Sequence, residues 1–327
     1  MKSGLTKKII GVFGILVSIA ALVYLSRKID FSEAISLLKE VPAYYFVLLP
    51  VVYLTTFFVR AWRWKLMLSN FSGIKYTEYL KGVVVGFAGN NVIPARGGEI
   101  LRMAFFSKRT QLNRVTSLSS VLTEKILDGV SLLLILSLAV LWTGQGVFEK
   151  EWFSQMFYLV VAVFGVAVIG LVVVRVFGQP IISFLDGKEH KLFKLAGGIT
   201  DKIYHALYFI KPDFNSLLII VSGLLTWLIE GGMFVIACMA FDLPTNWLVA
   251  GYVCLSVVNF GLLVPSSPGY VGVFQGMTIL ALSLFGIPEE LSLSVGILVH
   301  ICQFVPITIW GAVIIFQSSI KSVVGEE

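Results

Sequence analysis

The chain has 327 residues, of which 57% are hydrophobic and 13% charged, and it carries a formal charge of +6. With a mean hydropathy of +0.90, this composition excludes a water-soluble globular domain and describes an all-α, multi-pass integral membrane protein. Residues 1–327 read as a single membrane domain without room for a soluble one, and the basic excess reads as membrane orientation, with no nucleic acid implied.

The predicted elements begin with Lys2, Lys7 and Lys8 ahead of an apolar run from Ile9 to Leu25. Ser26-Arg27-Lys28 follows, with no small-residue cleavage site, so the run is expected to be retained as a first transmembrane helix. A short amphipathic piece from Ser32 to Val41 comes next, then a long apolar helix over 44–64. Between 79 and 107 the pattern breaks at Asn90-Asn91-Val92-Ile93-Pro94-Ala95-Arg96-Gly97-Gly98-Glu99-Ile100-Leu101-Arg102. The apolar flanks, Val83 to Ala88 and Met103 to Phe106, are each too short to span a bilayer, which needs about 20 residues. A backbone interrupted by Pro94, Gly97 and Gly98 is tolerated at that depth only inside protein or beside a wet cavity. The stretch therefore reads as the tip of a re-entrant hairpin.

Helices are predicted over 115–142, 153–174, 215–241 and 290–316, with one surface-lying amphipathic helix within 175–215 carrying His190, Leu192, Phe193, Leu195, Ile199, Ile203 and Leu207. A second hairpin spans 246–285 and breaks at Val264-Pro265-Ser266-Ser267-Pro268-Gly269-Tyr270-Val271-Gly272. The sum is about six full transmembrane helices plus two re-entrant hairpins. With both termini in the cytoplasm, eighteen Lys and Arg fall inside, four outside and three in the membrane (Arg96, Arg102 and Lys125). In this topology the hairpins enter from opposite faces of the cell (inner) membrane. Residues 44–142 and 215–316 then form an inverted repeat, whose binding site belongs near the midplane between interrupted helices.

The chemistry expected there is anion binding. Half-helix N-termini near Gly97 and after Ser266 or Ser267, the latter with Pro268 at its first position, would point unpaired N–H groups at the midplane. Asn90, Asn91, Arg96, Gly97, Gly98, Glu99, Arg102, Ser266, Ser267 and Gly269 are the candidate ligand-binding residues. Glu124 and Asp128, four apart on one helix face, are expected to pair with Arg96 or Arg102 in a charge network with Lys125 and Glu230. Counting Glu99, four acids face three bases, so one carboxylate is left without an ion partner and proton coupling stays open. Asn90, Asn91, Gln275, His300 and Gln303 are candidate polar lining. Cys238, Cys254 and Cys302 read as small buried hydrophobes. No metal-ligand spacing, P-loop or other catalytic motif occurs, so neither cofactor nor enzyme activity is expected.

Three motifs, Asn91-x-x-Pro94-x-Arg96-x-Gly98-Glu99, Glu124-Lys125-x-x-Asp128 and Pro265-x-x-Pro268-Gly269-x-x-Gly272, resemble the flippase-like membrane domain family. That domain is the membrane half of bacterial lysylphosphatidylglycerol synthases. It also stands alone, including in archaeal proteins linked to lipid-carried glycosylation. No aminoacyl-transferase domain follows residue 316. The resemblance implies movement of a phospholipid or polyprenyl-phosphate lipid between leaflets. A proton-coupled small-anion transporter, or a membrane subunit of a lipid-linked glycosyl or aminoacyl transferase system, are the other classes. A homo-oligomer and a partner transferase stay open.

Overall fold

The computed structural model describes residues 29–71, 73–93, 97–143, 150–187, 190–207, 213–263 and 267–324. The expected helix at 9–25 lies outside them, as do Pro94, Ala95, Arg96, Pro265 and Ser266. The described residues contain helices and no strands. Eleven α-helices follow in order. They are α1 (Phe31–Glu40), α2 (Tyr45–Met67), α3 (Tyr76–Val92), α4 (Gly98–Thr110), α5 (Arg114–Thr143), α6 (Glu151–Asp186), α7 (Lys191–Ala206), α8 (Phe214–Ala240), α9 (Trp247–Gly261), α10 (Val273–Leu282) and α11 (Glu289–Val324). Five of them, α2, α5, α6, α8 and α11, are long and apolar enough to cross a membrane.

Local chemistry sets many of the ends. The Asp30 carboxylate accepts from the Ser32 and Glu33 N–H groups to cap α1, Asp213 accepts from Ser216 N to cap α8, and Asn246 accepts from Val249 N to cap α9. The long helices then fit together in pairs. α2 packs along α8, α3 along α4 and α11, and α9 along α8, α10 and α5. Each hairpin thus rests on the helix preceding it and on the last long helix of the other half. α1 lies against α11, where Ser294 Oγ donates to the Ala34 carbonyl at 2.9 Å.

Glycines let the first hairpin close. Gly82, Gly86 and Gly89 line the α3 face that meets α4, and a Cβ on Gly86 would lie 2.8 Å from Arg102 Cβ. A Cβ on Gly98 would run into the Gly86 carbonyl oxygen and the Asn90 N–H, which are backbone and cannot swing aside. Gly98→Ala should therefore lose at least the roughly 1–3 kcal/mol typical of overpacking. Folded yield by detergent gel filtration checks this, and a wild-type yield and melting midpoint would refute it. At the open end of the hairpin Glu78 on α3 takes hydrogen bonds from Arg109 on α4 and from Lys81. Burial pushes the Glu78 carboxyl up, but those two cations outweigh it and hold the group below its ordinary range.

Three boundaries differ from the sequence reading. α6 does not stop near 174 but runs through Arg175 and Pro180 to Asp186. The expected amphipathic helix is shortened to α7, which packs back on α6 with Tyr204 against the bare Cα of Gly178. The second half-helix of the second hairpin begins at Val273, well after Ser267. Ser267 instead precedes a 3-10 turn, Pro268–Tyr270, without a side-chain capping bond. Two left-handed glycines, Gly269 at φ 72° and Gly272 at φ 85°, turn the chain there. Gln275 Oε1 then accepts from Gly272 N at 2.8 Å, satisfying a donor at the start of α10.

Candidate functional site

The first turns of this site are set by helical spacing. Arg60 and Arg63 lie three apart on α2, and Glu124 and Asp128 four apart on α5, so each pair presents one face. The two faces meet, and α4 and α8 contribute Arg102 and Glu230. Arg102 grips Glu124 with both ends of its fork, Nη1–Oε1 at 3.0 Å and Nη2–Oε2 at 2.8 Å. Arg63 bridges the two acids of α5, reaching Glu124 at 3.4 Å and Asp128 at 2.9 Å. Arg60 continues to Asp128 at 3.5 Å and to Glu230 at 2.8 Å. The result is an unbroken alternation of acid and base from Arg102 to Glu230.

The eighteen cytoplasmic residues of the sequence count include Arg60 and Arg63, at the inner end of the helix expected over 44–64. The structure buries them to 1% and 0% exposure. They join Arg102 as buried bases available to the acids of the protein interior. Of the expected pairings with Arg96 or Arg102, Glu124 pairs with Arg102, Arg96 lies outside the described residues, and Asp128 pairs with Arg60 and Arg63, which the expectation did not name. The acid surplus disappears too, because Lys125 reaches Glu99 at 2.9 Å and each of the four carboxylates has a cation partner. With it goes the arithmetic reason for a protonated carboxylate. One signal could have found the two arginines: Glu230 in mid-helix needs a base, and Arg60-x-x-Arg63 is a basic pair within an apolar run.

Neutral groups hold the network in place. Trp227 Nε1 donates to Asp128 Oδ1 at 3.0 Å and Trp64 Nε1 to Ser120 Oγ at 2.8 Å. The Arg102 guanidinium lies 3.9 Å over the Trp64 ring, and that of Arg60 lies between Phe87 (4.8 Å) and Trp227 (5.0 Å). Gly223 on α8 leaves the space for Arg63, since a Cβ there would stand 2.8 Å from its Nη1.

A cavity of about 240 Å³ opens beside this network. Arg60, Asn90, Asn91, Glu99, Lys125, Asp128 and Glu230 line it, together with His300 and Gln303 of α11. Asn90 Nδ2 donates to Glu99 across the first hairpin, and Asn91 Nδ2 ties α3 to Thr308 Oγ1 of α11 at 2.8 Å. The turn Pro268–Tyr270 packs on α3, so the second hairpin meets the first here, and Gly269 fits under Phe304. Gln275 bonds His300 Nδ1 at 2.9 Å. Glu124 and Arg102 are fully buried behind the cavity and do not line it. Gly97 and Gly98 shape the start of α4. Cys238, Cys254 and Cys302 are buried thiols, and no metal-holding cluster occurs among the described residues.

An all-helical, multi-pass membrane protein with a charged cavity between interrupted helices is the class that this fold and site define. The chain belongs to the family of the lysylphosphatidylglycerol synthase TM region, whose model matches residues 11–311. It is also similar to a Haloferax volcanii protein named Glycosyltransferase AglD, 21% identical over 326 residues. That match covers 90% of this chain and 52% of the relative, so the chain spans about half the relative's length.

Proposed function

We propose that this protein is a flippase or scramblase, moving a lipid with a phosphate-bearing head group between leaflets without ATP hydrolysis. The cavity carries the proposal. It lies among helices long enough to cross a bilayer, and charged side chains border it where the two hairpins meet. A charged head group in hydrocarbon is held back by the loss of its hydration shell. Arg60 offers a planar fork suited to phosphate. A phosphate bound to it takes over the role of Asp128, which keeps Arg63 at 2.9 Å, so that carboxylate is not left unpaired. Arg96, just before Gly97 in sequence, with Ser266, Ser267 and Gly269 at the other tip, completes the proposed head-group site. The charges described in the network balance at four and four, and those lining the cavity are two cations, Arg60 and Lys125, and three carboxylates, Glu99, Asp128 and Glu230, so the proposal needs the further positive charge of Arg96 at the site.

The inverted repeat of 44–142 and 215–316 belongs to the same proposal. The crosswise packing of α3 on α11 and of α9 on α5 supports it. Single cysteines at the exposed Lys108 and Pro288, in a background without Cys238, Cys254 and Cys302, should label from the cytoplasm and the exterior respectively. Labelling of both from one side would remove the repeat. For transport, purified protein in liposomes should speed inter-leaflet movement of fluorescent lipids. Rates equal to empty liposomes for phosphatidylglycerol, its aminoacyl esters and polyprenyl phosphates, with and without a proton gradient, would sink the proposal. The name of the Haloferax volcanii relative favours one second reading, a membrane domain that serves a lipid-linked transferase. In that case activity would appear only with a partner enzyme.

A further inference from the structure

We propose that a second site, at the corner between α2 and α3, holds the phosphate of an anionic phospholipid from the surrounding leaflet, apart from the lipid that is moved. The proposal stands on the membrane class of the protein and does not depend on the transport reading. An open cavity of about 530 Å³ lies there, within the roughly 300–1,000 Å³ of ligand sites. It forms where α2 ends at Met67 and α3 begins at Tyr76. Among the described residues its lining carries Lys65 and Lys75 and no carboxylate. Neither lysine is ion-paired among the described residues, whereas Lys81 and Lys125 are. Tyr79 adds a donor held in place. The residue is 1% exposed, and Trp64 and Phe106 pack against its ring with centroids 5.7 and 5.1 Å away. Its hydroxyl makes no hydrogen bond among the described residues and is not sealed from solvent, so the hydroxyl is the part of Tyr79 that meets the cavity.

Chemistry and depth select the occupant. Two ammonium groups and a phenol hydroxyl offer donors, and phosphate oxygens accept. The N-terminus of α3 adds to them. Lys75 is its N-cap and makes no side-chain capping bond, so first-turn N–H groups stay uncapped at the cavity rim. Glu78, the nearby carboxylate, is engaged by Lys81 and Arg109 and does not line the cavity. Much of the remaining wall is apolar, with Trp62 and Phe71 each 39% exposed. A free phosphate ion gains nothing from that wall, whereas a phospholipid lays its glycerol and first methylenes against it. α2 is long enough to cross a membrane, and Lys65 stands in its last turn. The cavity therefore lies at head-group depth, where Trp and Lys gather. Asn90, at the cavity between the hairpins, is eleven residues past Tyr79, about 16 Å along α3, so one phosphate cannot occupy both places.

The test reads binding locally. Asn70→Cys, at an exposed position beside Phe71 and in the background without Cys238, Cys254 and Cys302, carries an environment-sensitive dye on the purified chain in neutral detergent. Dioctanoyl phosphatidylglycerol, dioctanoyl phosphatidylcholine and inorganic phosphate are titrated in turn. Phosphatidylglycerol should bind about tenfold or more tighter than either of the others. Lys65→Gln combined with Lys75→Gln should remove that preference, and Tyr79→Phe should weaken phosphatidylglycerol binding by about threefold or more, so if one variant does not fold the other still decides. Lys108→Gln combined with Lys194→Gln, two other exposed lysines, should leave the binding unchanged. Equal binding of the two lipids, inorganic phosphate binding as tightly as phosphatidylglycerol, wild-type binding by a folded variant of Lys65 and Lys75 or of Tyr79, or an equal loss in the control pair would overturn the proposal. Those outcomes leave transport standing if lipids still cross. Binding here without lipid movement in liposomes would instead overturn transport and leave this site in place.

Discussion

Replacing Glu124 with Gln should destabilise the protein by about 3–5 kcal/mol, the usual loss when one partner of a buried ion pair is removed. Glu124 is fully buried and holds Arg102 through both fork nitrogens, with Arg63 as a second cation. Without the carboxylate, two guanidinium groups remain in a low-dielectric interior with one acid, Asp128, near Arg63. Arg102→Met alone should be destabilising for the reciprocal reason. In the Glu124→Gln background it should cost much less, because the charge it removes is already unpaired. Thermal unfolding in detergent of the four proteins of this cycle measures the coupling. A coupling energy of about 0.5–3 kcal/mol is the range for residues in direct contact. Additive losses would show that the bidentate contact contributes nothing specific.

Arg60 should separate function from folding. It lies where the buried ion chain reaches the cavity and is the link between Asp128 of α5 and Glu230 of α8. Arg60→Met leaves Glu230 without its cation and should destabilise by about 3–5 kcal/mol. Adding Glu230→Gln should restore much of that stability. It should not restore lipid movement, since the fork that takes over phosphate is still absent. Arg60→Lys keeps the charge but loses the planar fork. Its folded yield should stay near wild type while inter-leaflet transport in liposomes falls by about tenfold, the equivalent of one lost interaction of about 1.4 kcal/mol. Wild-type transport by Arg60→Lys would remove Arg60 from the lipid path.

Much of the architecture was legible because its causes are local. Apolar runs of membrane-crossing length marked α2, α5, α8 and α11 closely. The first hairpin was legible as well: α3 ends at Val92 and α4 starts at Gly98, on either side of the Pro94 to Gly97 break. The second tip was misjudged because Ser267 and Pro268 form a good local start signal that yields only the 3-10 turn Pro268–Tyr270. Positive φ at Gly269 and Gly272 delays the helix to Val273, and the Gln275 side chain secures the new start. α6 outran its expected end because one arginine and one proline, Arg175 and Pro180, do not stop a helix whose neighbours are mostly apolar and against which α7 packs.

The sequence by itself determined the class of protein and where its apolar helices are broken. Those follow from composition, from period and from the rule that backbone polar groups in lipid must be satisfied. It also pointed to Glu124, Asp128 and Glu230 as acids in need of partners. Only the tertiary structure decided what the partners are. Arg60 and Glu230 are 170 residues apart and meet at 2.8 Å, and nothing in the local pattern around Arg60 distinguishes it from an interfacial arginine. Ion pairing in a low-dielectric interior depends on approach within about 4 Å, a distance set by how α2, α5 and α8 pack and by the glycines that let them close.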